Sequence, residues 1–320
     1  MIRTLLVGLG GMGKVHYCNT EALENVKIVA AVGLTECDKA YAAEKALRYY
    51  SSITEALEKE DVDVVDITTP TFLHYAHVKE ALEKKKHVIC EKPLALRKKD
   101  AEELYALAEE NNLSLTVAQV LRFTKEYAVL KELVEKKTFG EALYLRFTRL
   151  SECPSWAKGG WLLDEKKSGL VPFDLHIHDL DMIVSLFGKP LAVREYKKRG
   201  RESSIDEYYS FSYSYPGNLQ IDAEAAWLNA SIPFEATWRA IFEKAMVIND
   251  GKNVIAYPQS GERIVYNIGY PVVLSTGINI PPTGWYYEEL KSIYSSIRDK
   301  EMNIVDKKEI LTVLEILENL

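Results

Sequence analysis

Cysteine is scarce: four residues, Cys18, Cys37, Cys90 and Cys153, are spread through 320 positions without a C-x-x-C pair. That spacing suits a reducing compartment better than a disulfide frame or a thiolate zinc site. No run of 18 apolar residues occurs, so no segment reads as a membrane-spanning helix. The opening MIRTLLVGLGG carries neither a long apolar stretch nor a small-residue cleavage site, and the expected location is the cytoplasm. Positive charge is also in deficit. Forty Lys and Arg against 47 Asp and Glu give a formal net charge of −7, which argues against a nucleic-acid partner held through counterion release. Low-complexity tracts and internal repeats are missing too, and 47% hydrophobic with 27% charged residues is the composition of a compactly folding chain. Its length exceeds one ordinary core and points to two domains.

The first 118 residues alternate short apolar runs with amphipathic segments, the pattern of βαβ units in a parallel sheet. Strands are expected at 4–7, 28–32, 62–68, 87–90 and 114–118. Between them, 38–49, 74–84 and 99–110 carry apolar residues at three and four spacing, as core-facing helices do. From about Glu141 the period falls to two. Tyr209, Phe211, Tyr213 and Tyr215 share one face and Ser210, Ser212 and Ser214 the other; Pro216-Gly217-Asn218 then supplies turn chemistry before the alternation resumes at Leu219. Further strands are expected near 236–248, 253–257 and 263–267, and helices at 172–187 and 286–299. The fold class that follows is α/β: a doubly wound parallel Rossmann sheet over 1–119, then an α+β domain over 120–320 with a large, mostly antiparallel open sheet. The second domain is expected to bind substrate and to form a homodimer or homotetramer, because one face or edge of such a sheet is costly to leave apolar and wet.

Gly8-Leu9-Gly10-Gly11-Met12-Gly13 is G-x-G-x-x-G placed directly after an apolar strand and opening a helix. The first glycine permits a tight turn, the second lets backbone approach a pyrophosphate, and the third allows close helix packing, so NAD or NADP is the expected cofactor. Two polar clusters follow the carboxyl ends of later strands: Thr69, Pro70 and His74, then Glu91, Lys92 and Pro93. Ligands of open α/β sheets bind at such rims. In the second half, Asp174, His178 and Asp181 share one face of a regular helix by i, i+4 and i, i+3 spacing, while His176 points elsewhere. A histidine oriented by a carboxylate is a competent acid or base near neutral pH. No third clustered ligand fits a tetrahedral metal, and none is expected.

The runs GLGGMGKVH, DVVDITTPTFLH, KKKHVICEKPLAL, LRFTKEYAVLKELVEKKTFGEALYLRF and SGLVPFDLHIHDLDMIVSLFG together resemble the glucose-fructose oxidoreductase and inositol dehydrogenase family (Gfo/Idh/MocA) over almost the whole chain. The resemblance implies that Lys92, Asp174 and His178 form the catalytic group and contact substrate, and that Gly8, Gly10 and Gly13 hold the dinucleotide. It further implies that Thr69, Pro70, His74 and Glu91 flank the nicotinamide half, and that the substrate is a sugar, polyol or inositol-like alcohol oxidised or reduced by hydride transfer. The residues do not choose between Lys92 and His178 as the proton acceptor. Arg122, after the last Rossmann strand, is a further candidate for substrate contact. Some relatives use transient oxidation to cleave glycosidic bonds, and a redox-silent sensor is a third possibility.

Two departures stand out. His176 occupies a position where many members carry glycine. Leu34 stands where an aspartate ordinarily binds the adenosine ribose, which removes the main barrier to NADP. Thr35 and Lys39 offer a hydroxyl, an amide and a cation to a 2′-phosphate and Glu36 opposes them, so dual use with a bias of about tenfold toward NADP is expected.

Overall fold

The computed structural model describes residues 1–200, 205–276, 282–301 and 304–320. The chain forms two compact units, one of Met1–Phe123 with Tyr270–Leu314 and the other of Thr124–Gly269 with Glu315–Leu320.

The first unit is a six-stranded parallel sheet in the order β3-β2-β1-β4-β5-β6. Its strands are β1 (Ile2–Val7), β2 (Val26–Val32), β3 (Arg48–Tyr50), β4 (Val64–Ile67), β5 (His87–Glu91) and β6 (Leu115–Ala118). The helices α1 (Gly11–Glu21), α2 (Glu36–Glu44), α3 (Ile53–Lys59), α4 (Thr71–Glu83) and α5 (Lys98–Glu110) connect them. Continuous apolar runs make these strands: β4, β5 and β6 are buried almost throughout, as parallel strands covered on both faces must be. The helix expected over 38–49 divides. It ends at Glu44, Ala46 adopts a φ of +53°, and Arg48-Tyr49-Tyr50 pairs with β2 as an edge strand. The tyrosines satisfied a helical period but have aromatic β preference, and the open edge of β2 decided between them.

The second unit is an eight-stranded sheet in the order β14-β13-β12-β11-β7-β10-β9-β8, antiparallel except where β7 and β10 run parallel. In chain order it contains α6 (Lys125–Glu135), β7 (Ala142–Glu152), α7 (Glu165–Ser168), α8 (Ile177–Phe187), β8 (Ala192–Lys198), β9 (Tyr208–Ser214) and β10 (Gln220–Leu228). The strands β11 (Glu235–Phe242), β12 (Ala245–Asn249), β13 (Val254–Pro258) and β14 (Ile264–Tyr266) complete the sheet. Tyr209, Phe211, Tyr213 and Tyr215 are all buried, and the first three stack in sequence along one face. On the opposite face Asp222 accepts from Tyr144 and Ser212, and Glu224 from Arg146, Thr148 and Tyr208. Met246 and Tyr257 are exposed there.

The contiguous boundary after residue 119 differs from the two compact units, because the chain returns to the first unit at Tyr270. The reason is α9 (Trp285–Asp299). Its residues Leu290, Ile293 and Tyr294 join Val64 and Ile89 of the parallel sheet in one apolar cluster, and burial of that stripe outweighs sequence order. A final helix, α10 (Lys307–Glu318), had no counterpart in the sequence reading.

Candidate active site

The glycine loop separates three roles. Gly8 has a φ of +97°, and a Cβ there would come within 3.0 Å of the Thr68–Thr69 backbone. At Gly13 a Cβ would approach the Gly8 carbonyl to 2.1 Å, so α1 packs on the β1 turn only because this residue has no side chain. Around Gly10 nothing lies within 4 Å of such an atom. Gly10 is also the N-cap of α1 and supplies no side-chain cap. Exposed Gly11 and half-buried Met12 follow in the first turn. The first and third glycines therefore answer to the protein, while the second leaves space before a helix N-terminus, which fits a pyrophosphate.

At the end of β2, Leu34 is 78% exposed. Thr35 caps α2 by accepting from the Asp38 amide at 3.2 Å, and Asp38 Oδ2 in return accepts from the amides of Leu34 and Thr35 at 3.1 and 2.9 Å. Lys39 is exposed one residue on.

The rims of β4 and β5 rest on buried polar groups. His74, 1% exposed, places its ring nitrogens 2.7 Å from the carbonyls of Pro93 and Thr69, tying the two rims together. Burial lowers its pKa despite those acceptors, so the ring is neutral and donates to one carbonyl at a time. Thr69 hydroxyl pairs with His77 Nδ1, and Pro70 is the N-cap of α4. Glu91 is buried, and its side chain accepts from the Lys92 amide at 3.0 Å and from His16 Nε2 at 3.2 Å. Both nitrogens of His16 are used, since Nδ1 lies 2.9 Å from each Asp66 oxygen. Burial alone would push its pKa down, but the two carboxylates outweigh it and hold the ring protonated; His16 in turn keeps Glu91 below its ordinary value. Lys92, half-buried, leaves the sheet directly after this cluster. His74 and Glu91 thus spend their hydrogen bonds on holding the rims. Arg122, expected to meet substrate, forms an ion pair with Glu309 of α10.

In the second unit the segment expected as one regular helix over 172–187 starts differently. Pro172–His176 is a π-helical turn closed by the Ile177 amide on the Pro172 carbonyl, and α8 follows. Such wide turns recur at functional sites. Asp174 and His178 are half-buried and Asp181 is buried. His176 does turn away: it stacks on Phe211 at 3.9 Å between centroids, its Nε2 meets the Tyr213 hydroxyl at 2.5 Å, and burial lowers its pKa to about 3. The start of α8 is fixed by an ion pair that sequence reasoning missed. Arg149 donates from Nε and Nη2 to the two oxygens of Asp179 at 2.9 and 2.7 Å, and the Tyr127 hydroxyl donates to Asp179 at 3.1 Å. A signal existed: Arg149 occupies an inward position of β7 after Leu145 and Phe147, and an arginine on an apolar strand face requires a buried acid.

The family model for the oxidoreductase family with an NAD-binding Rossmann fold, GFO/IDH/MocA, matches residues 2–119, and the model for the GFO/IDH/MocA C-terminal domain matches 127–248. The chain belongs to this family. An uncharacterized oxidoreductase of Schizosaccharomyces pombe is 34% identical over 199 residues, 60% of this chain and 53% of that protein. Myo-inositol 2-dehydrogenase of Thermotoga maritima is 30% identical over 194 residues, 59% of this chain and 55% of its own. The matched segment thus spans little more than half the length of these relatives. The solved structure of levoglucosan dehydrogenase in complex with NADH and levoglucosan superposes with a TM-score of 0.84 at 19% identity, over 99% of this chain and 95% of that one. The N-terminal unit is accordingly an NAD-binding Rossmann domain of the family. Among the described residues no helix is long and apolar enough to cross a membrane.

Proposed function

We propose that the protein is an NAD(P)-dependent oxidoreductase that moves a hydride between nicotinamide and a secondary carbinol carbon of a sugar, polyol or inositol-like compound. The observation that carries this reading is the open space at Gly10 before the uncapped N-terminus of α1. The names of inositol and levoglucosan dehydrogenases among the relatives support the substrate class. Nicotinamide, when bound, supplies the hydride acceptor or donor.

The chain's own groups manage the proton and the charge. His178 takes the hydroxyl proton as hydride departs from the carbon. Asp174, just before α8, orients that imidazole and stabilises its protonated form. The ammonium of Lys92 lowers the energy of the developing alkoxide. Thr69 and Pro70 would hold the coenzyme at the β4 rim, while His74 and Glu91 set the rims' positions.

Incubation with a panel of sugars, polyols and inositols and each coenzyme, followed by coenzyme absorbance and product analysis, tests the reading. Coenzyme reduction stoichiometric with substrate oxidation is expected. Glycoside cleavage without net reduction would make the chain a glycosidase, and binding without turnover would make it a sensor. The same preparation is expected to scatter light as a homodimer or homotetramer, with at least twice the mass of one chain.

A further inference from the structure

We propose that Asp38, in the first turn of α2, selects the coenzyme in place of the residue that ends β2, admitting NAD and excluding the 2′-phosphate of NADP. The inference rests on the dinucleotide reading above and specifies its adenosine end. In a Rossmann unit the adenosine ribose lies at the carboxyl end of the second strand, here residues 33–35. The usual carboxylate is missing from that position, since Leu34 is apolar and turned to solvent. A carboxylate nevertheless lies there. The Asp38 side chain folds back over the strand end so closely that a Cβ on Gly33 would stand 2.6 Å from the Asp38 Cβ.

A 2′-phosphate dianion needs donors and cations. The Leu34 and Thr35 amides, the donors a phosphate would use at this turn, already point at Asp38 Oδ2. The Thr35 hydroxyl oxygen accepts from the Asp38 amide, which ties the hydroxyl to the cap but does not use its O–H. Glu36 adds a second carboxylate in the same helical turn, and the raised pKa of neighbouring Tyr49, owed first to burial and then to Asp38 and Glu36, registers both charges. Exposed Lys39 offers an opposing cation. A phosphate would therefore meet a fixed negative charge and donors already in use. The diol of NAD needs an acceptor instead, and Asp38 Oδ1, outside the capping bonds, provides it. The NADP bias expected from Leu34, Thr35 and Lys39 reverses on this geometry.

Dissociation constants of the full chain for NAD and NADP, measured by titration calorimetry, test the assignment with Asp38→Asn. The asparagine carbonyl preserves the cap and removes the charge, so the melting temperature should hold. The wild type should bind NAD at least tenfold more tightly than NADP, and the variant should narrow that ratio by about tenfold or more. Asp38→Ser, which also retains a capping oxygen, should narrow it in the same direction if the asparagine protein folds poorly. A role confined to capping would weaken both coenzymes alike. An unchanged ratio in variants that still bind, or a wild type preferring NADP, overturns the assignment alone. A wild type that binds neither coenzyme overturns the dinucleotide reading, and the assignment with it.

Discussion

The two units bury charge in different ways. In the second, Arg149 and Asp179 meet one to one in a bidentate pair that Tyr127 completes, so charge is balanced and every short bond is directional. In the first, the buried His16 ring serves both Asp66 and Glu91, the half-buried Lys92 also acts on Glu91, and a further group adds an acid without adding a base: Glu289 of α9 is fully buried. Neither Glu289 oxygen has a hydrogen-bond partner among the described residues. Burial first, and the nearby Glu91 second, push its pKa well above the ordinary value, so it is held as the neutral acid. Balanced charge makes a pair sensitive to truncation and indifferent to pH near neutrality. Unbalanced charge makes a cluster whose proton inventory depends on pH.

Truncating the balanced pair should give the largest effect. Asp179→Asn or Arg149→Met leaves a buried charge without its partner and should cost about 3–5 kcal/mol in urea unfolding. Replacing both, as Arg149→Met with Asp179→Leu, should recover most of that, because both desolvation penalties vanish together. Single variants within about 1 kcal/mol of wild type would show that the pair does not anchor α8.

The proposed chemistry pairs Lys92 with His178, which allows a second test. Lys92→Met and His178→Ala should each lower kcat by about a hundredfold, equivalent to ~2.7 kcal/mol of transition-state stabilisation. If both act on the same oxygen and proton, the double variant should lose far less than the product. NAD affinity should survive in all three. Multiplicative losses would separate the roles of the two residues.

Legibility also divided the units. The parallel strands, the glycine loop and the β9–β10 hairpin followed from period and turn chemistry, because local pattern and tertiary demand agree there. Gly8 and Gly13 were readable as steric requirements. Other features were not. The strand at Arg48–Tyr50 lost to a helical period that its tyrosines happened to satisfy. The return of α9 to the first unit depends on which apolar face accepts it, a long-range choice that periodicity does not encode. The capping of α2 by Asp38 converts a residue that reads as an ordinary first-turn acid into part of the proposed ribose site. In the same way His16 was visible inside the nucleotide motif, but its partners Asp66 and Glu91 lie 50 and 75 residues away.

The unbalanced cluster supplies the smallest and most specific effect. Glu289 carries a proton in the folded state that an unfolded chain releases near pH 4.3, so above that value this group contributes an extra bound proton to the folded state. Stability then falls as pH rises toward the folded pKa, by at most about 1.4 kcal/mol per pH unit. His16 acts with the same sign but in a higher window: its raised pKa contributes stability in full below about pH 6.5 that is lost only as pH rises through the folded value. Glu91, with its pKa lowered, acts with the opposite sign, its contribution fading as pH falls below about 4.3. Between pH 5 and 6.5 His74, His77, His87 and His176, whose pKa values burial lowers, act with the opposite sign, so Glu289 is read from the difference between wild type and a variant that lacks its titration. Glu289→Gln removes the titration and keeps the shape, so the urea-unfolding free energy of wild type should fall relative to that of the variant across this interval, with a difference of about 1 kcal/mol developing by pH 6.5. Parallel curves for the two proteins would mean that Glu289 titrates alike in both states, and the unit would then bury no surplus acid.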